Sequence, residues 1–63
     1  MAKKYYYFCE THMTFSTGCQ IVGIGAGDNI ASVARLWGKT NGYKHVYVYD
    51  MHHNLVWDYD VNE

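Results

Sequence analysis

Apolar and polar residues alternate with a period of two at both ends of this chain, and a period near 3.6 governs its middle. Residues 4–10 (Lys-Tyr-Tyr-Tyr-Phe-Cys-Glu) are rich in aromatics that suit a pleated surface, and they predict a strand. Residues 19–24 carry Ile21, Val22 and Ile24 and predict a second strand. Between them, Ser16-Thr17-Gly18 has the composition of a turn. Gly25-Ala26-Gly27 then breaks the extended pattern. Ile30, Val33, Ala34 and Trp37 follow at i, i+3, i+4 and i+7, the stripe of an amphipathic helix with Ser32, Arg35 and Lys39 on its wet side. Asp28 is the expected N-cap, and Gly38 or Gly42 the expected stop.

Residues 44–50 and 55–60 alternate again and predict a hairpin turning within Met51, His52, His53 and Asn54. Loops of two or four residues keep the same parity. Both place Val46 and Val48 on one face with Leu55, Trp57 and Tyr59, and His45, Tyr47 and Tyr49 on the other with Val56, Asp58 and Asp60. The expected architecture is a single α+β domain over residues 1–63 in the order ββαββ. Its four-stranded, mainly antiparallel sheet would be covered on one face by one helix. The expected core is Phe8, Val22, Ile24, Ile30, Val33, Ala34, Trp37, Val46, Val48, Leu55 and Trp57.

Size and composition sharpen this picture. A chain of 63 residues has a thin core. Here 7 Tyr, 2 Trp and 2 Phe supply much of the area that can be buried. With no run of some 20 apolar residues, no membrane span is expected. The start, Met1-Ala2-Lys3-Lys4 followed by tyrosines, does not read as an export signal. Two cysteines without that signal point to reduced thiols and a cytoplasmic location.

One helix covers one face of a sheet, so the opposite face is left for solvent or for a partner. Tyr5, Tyr7, His45, Tyr47 and Tyr49 are expected on it. Tyrosine offers large, rigid, amphipathic contact area at small entropic cost, so these five residues form the candidate partner-binding site. The functional expectation is a non-enzymatic protein–protein interaction module. It would regulate or inhibit a larger protein assembly, for example as a phage- or mobile-element-encoded inhibitor of a host system, and could form a homodimer through the same face.

Other chemistries fit less well. Gly23-Ile24-Gly25-Ala26-Gly27 lies where a dinucleotide-binding turn would sit, and Asp50 ends the next strand. The third glycine of that pattern, however, is replaced by Asp28, whose carboxylate would occupy the pyrophosphate position. Cys9, His12, Cys19, His52 and His53 are candidate ligands for a structural zinc, but a lone C-x-x-H spacing is weak, and no cofactor is expected. Aromatics on an open sheet also suit single-stranded nucleic acid. Phosphate contacts require cations, though, and the net charge is −1 with only Lys3, Lys4 and Lys44 near that face. Ser16, Ser32, Cys9 and Cys19 lack the neighbours that would activate a nucleophile, so no enzymatic activity is expected.

Overall fold

The computed structural model describes residues 3–12 and 19–62, so the Ser16-Thr17-Gly18 turn lies outside the described residues. Four strands and one helix follow in the order β1 (Lys4–Cys9), β2 (Cys19–Ile24), α1 (Ile30–Asn41), β3 (His45–Tyr49) and β4 (Leu55–Asp60). They form one sheet with the order β2-β1-β3-β4, and all three pairings are antiparallel. The ββαββ, α+β architecture read from the periodicities is therefore the one observed. No helix among the described residues is long and apolar enough to cross a membrane.

The helix is capped one residue later than expected. Asn29, in extended conformation, accepts the amide of Ala31 through its side chain. Asp28 instead accepts the Gly25 amide through Oδ2 at 2.7 Å, while its own N–H donates to the Gly25 carbonyl. Its carboxylate is committed to closing the glycine turn. At the other end Gly42 takes the left-handed conformation at φ 80° and donates to the carbonyls of Gly38 and Lys39.

Gly38 lies inside the helix, and its role is proximity. A Cβ there would stand 2.6 Å from Cγ2 of both Val46 and Val61, so the helix backbone rests directly on these valines. Phe8, Ile24, Ala34, Val46 and Val48 are buried, with Tyr6, Val22, Ile30, Val33, Trp37, Tyr59 and Val61 packed against them. Trp37 anchors the helix to the sheet edge. Its ring meets Phe8 edge-on at 5.6 Å, and its Nε1 donates to Oε1 of Gln20 at 2.9 Å. The Arg35 guanidinium stacks over Tyr59 at 5.4 Å and donates to the Asp60 carbonyl. Burial raises the Tyr59 phenol above its ordinary pKa, against the pull of Arg35.

Besides the helix cap, three expectations are corrected here. Leu55 is not core. The loop from β3 to β4 has an odd number of residues, 51–53, closed by hydrogen bonds between Asp50 and Asn54, with His53 in the left-handed region at φ 67°. A bulge in β4 restores the register, so Val48 pairs with Trp57 but Tyr49 pairs with Leu55. Leu55 thereby crosses to the other face and is 41% exposed. Trp57 keeps its predicted face yet is 43% exposed, because it sits on an edge strand, where Tyr6 meets its ring edge-on at 5.8 Å.

The third correction concerns the thiols. Cys9 and Cys19 are paired in a disulfide, and their Cα atoms are 4.0 Å apart at directly opposite positions of β1 and β2. The cytoplasmic assignment loses the support it drew from free cysteines.

Asp50 stabilises the β3–β4 loop. Its Oδ1 accepts the amides of His52 at 2.8 Å and Asn54 at 3.0 Å. The Asn54 amide contributes most to holding the carboxyl below the ordinary carboxylate range. A group whose pKa is depressed by folding contributes fully above its unfolded pKa, and loses that contribution as the pH falls through the folded one. Asp50→Ala should therefore lower the urea midpoint at neutral pH. The gap to the unmodified protein should close on acidification through the carboxylate range. A gap independent of pH would show that the charge is immaterial.

Candidate interaction face

Residues paired directly across antiparallel strands point to the same side, so the register assigns both faces of the sheet. Phe8 opposite Val48, Val46 opposite Tyr59 and Tyr6 opposite Val22 belong to the helix side. The other side is built from rungs that cross the sheet. One rung runs Ile21–Tyr7–Tyr49–Leu55 over all four strands, and the next runs Cys19–Cys9–Tyr47–Asp58. Beyond them Tyr5 stands opposite Gly23, and His45 opposite Asp60.

The structure thus places Tyr5, Tyr7, His45, Tyr47 and Tyr49 on one side of the sheet, but in unequal environments. Tyr5 is 48% exposed, and Tyr7, His45 and Tyr47 are half-buried. Tyr49 is only 3% exposed, which corrects its assignment as a contact residue. It lies on a central strand between Tyr7 and Leu55. His53 reaches from the β3–β4 loop to Tyr7, with ring centroids 5.1 Å apart.

Gly23 is needed here for space, since a Cβ would come within 3.0 Å of Cε2 of Tyr5. The Tyr5 ring lies across the bare glycine backbone and covers a point where β2 has no side chain. Ile21 and Leu55, at the two ends of the long rung, are 47% and 41% exposed. Periodicity alone missed both. An apolar residue at position 21 suits a strand on either face, and an even loop puts Leu55 on the helix side.

The polar end of the face is organised around His45. Its Nδ1 lies 2.6 Å from Asp60 Oδ1 and its Nε2 lies 3.2 Å from Asp58 Oδ1. Its ring also leans on Tyr47 at 4.7 Å, and His12 meets Tyr47 from another side at 5.3 Å. The face therefore grades from an apolar rung to an acidic rim.

The five candidate zinc ligands are not assembled. Cys9 and Cys19 are bonded to each other, His12 contacts Tyr47, His53 contacts Tyr7, and the His52 amide caps Asp50. No group of three or more His, Cys, Asp or Glu among the described residues is placed to hold a metal ion.

On the helix side, a cleft of about 430 Å³ opens between the glycine turn and the rings of Tyr6 and Trp57, with Lys4 and Asp28 among its polar residues. The Gly25 amide, which a phosphate would need, already donates to Asp28. A phosphate at this turn would have to compete with the Asp28 carboxylate for that donor. Comparison with known protein families, with curated proteins and with solved structures finds no match.

Proposed function

We propose that this chain is a non-enzymatic protein-recognition domain whose partner docks on the helix-free side of the sheet, around Tyr5, Tyr7 and Tyr47. One observation carries this reading. The rung Ile21–Tyr7–Tyr49–Leu55 spans the whole sheet on the side opposite the helix, and its outer members are about half exposed. A contiguous apolar and phenolic strip on so small a domain is the kind of surface that interaction sites use. Tyr49 then supports the strip from beneath, and His45 with its two aspartates forms the rim.

The same electrostatics favour protein over nucleic acid. The rim presents Asp58 and Asp60, which would repel phosphates, and the chain as a whole is slightly acidic. A domain of this kind suits the role of regulator or inhibitor of a larger assembly, including one encoded by a phage or mobile element against a host system.

The test is capture of a partner from the native cells by the unmodified protein and by Tyr5→Ser/Tyr47→Ser. Tyr49 is left intact because it is buried. Each lost aromatic anchor is worth roughly 1–2 kcal/mol at an interface, so the double variant should bind at least about tenfold more weakly with an unchanged far-UV spectrum. Equal affinity would refute the assignment of the face. Capture abolished by nuclease would move the function to nucleic acid.

A further inference from the structure

The two edges of the sheet are built differently. β4 carries Asp58 and Asp60 and contains the bulge, features that discourage pairing with another strand. β2 (Cys19-Gln-Ile-Val-Gly-Ile) has no charge and no proline, and it pairs with β1 in unbroken register over all six of its residues. An edge that is neutral, unbroken in register and rich in β-branched residues is a template for strand addition.

The ladder also shows which backbone groups face outward. Close Cα approach marks a non-hydrogen-bonded pair in an antiparallel ladder, and Cys9–Cys19 at 4.0 Å is such a pair. Pair types alternate, so Tyr7–Ile21 and Tyr5–Gly23 are of the same type. The N–H and C=O groups of Ile21 and Gly23 consequently point away from β1, toward the edge that no other described strand pairs.

We propose that β2 pairs antiparallel with β2 of a second copy of this chain, about a twofold axis at Ile21, to give one continuous eight-stranded sheet. In this register Ile21 exchanges both of its backbone hydrogen bonds with its counterpart, and the two half-exposed side chains meet. The long rung then continues unbroken from Leu55 of one copy to Leu55 of the other. The strand is its own complement. No charge opposes a charge across the axis, and two chains of net charge −1 repel each other little. Ile21 also ends the strip on the sheet's helix-free side, so the two readings share that residue, and Tyr5→Ser/Tyr47→Ser, which leaves β2 intact, tells them apart.

The experiment is light scattering with gel filtration on the intact, oxidised protein across the micromolar to sub-millimolar range, together with amide exchange at Ile21. The expected result is a mass rising to twice the 7.3 kDa of one chain, with Ile21 exchange slowing as concentration rises. Ile21→Lys and Ile21→Glu should each remain at 7.3 kDa with an unchanged far-UV spectrum. An equimolar mixture of the two should recover the doubled mass, because position 21 faces position 21 across the axis. Three results overturn the proposal: a single-chain mass at every concentration, Ile21 exchange independent of concentration, or a dimer that survives Ile21→Lys and is lost in Tyr5→Ser/Tyr47→Ser.

Discussion

Gly38→Val should leave much of the population unfolded under conditions where the unmodified chain is folded. Even the first added carbon would stand 2.6 Å from methyl groups of both Val46 and Val61, well inside van der Waals contact. Neither valine has a long, flexible side chain to swing away, and Val46 is fully buried between the helix and the sheet. Relief therefore requires α1 to lift off the sheet, which opens the contacts of Ala34 and Trp37 as well. Overpacking of this kind costs about 1–3 kcal/mol for a single methylene and more for a branched side chain. The total stability of a domain of this length is only about 3–9 kcal/mol. A loss near 3 kcal/mol should lower the urea midpoint by about 2–3 M. Gly38→Ala should cost less, since about 1 kcal/mol of helix propensity is regained. Val61→Ala should rescue part of that cost, a coupling readable in a double-mutant cycle. An unchanged midpoint in Gly38→Val would show that the helix is not seated on these valines.

Loss of the disulfide should have a comparable effect. The bridge joins residues 10 apart in sequence, and the chain-entropy relation gives about 2.7 kcal/mol for a loop of that size. Cys9 is fully buried, so Cys9→Ala/Cys19→Ala is a better probe than serine, which would bury a hydroxyl. The double variant and the reduced unmodified protein should unfold at nearly the same urea concentration, both well below the oxidised protein. If reductant leaves the midpoint where it was, the bridge contributes nothing. Counting free thiols in protein alkylated at the moment of cell lysis would then report the redox state in which the domain works.

Much of this structure was legible in the sequence. The 3.6-residue stripe from Ile30 to Trp37 and the alternation in residues 44–50 and 55–60 specify a helix and a hairpin with definite faces, and Val46, Val48, Phe8 and Ala34 lie where that patterning puts them. The disulfide was not legible: strands over residues 4–10 and 19–24 bring the two cysteines near the same end of a hairpin, but the register that sets Cys9 directly opposite Cys19 depends on the connecting loop. Asp28 and Asn29 both suit a helix N-cap by chemistry, and only the competing bond from the Gly25 amide decides between them. The loop at 51–53 was beyond pattern reading. Its odd length depends on His53 taking a backbone conformation that few residues other than glycine adopt, and the compensating bulge moved Leu55 to the opposite face.

The sheet is two local hairpins joined along a short seam. β1 meets β3 at just three residue pairs, Tyr7–Tyr49, Phe8–Val48 and Cys9–Tyr47. Each hairpin can close within microseconds from contacts close in sequence, but the seam brings together residues some forty positions apart and must wait for that longer chain closure. Phe8, at its middle rung, is therefore the side chain whose docking turns two independent ribbons into a single cooperative unit. A denaturant or a mechanical pull should part the molecule there first, with the covalently linked ribbon outlasting the other.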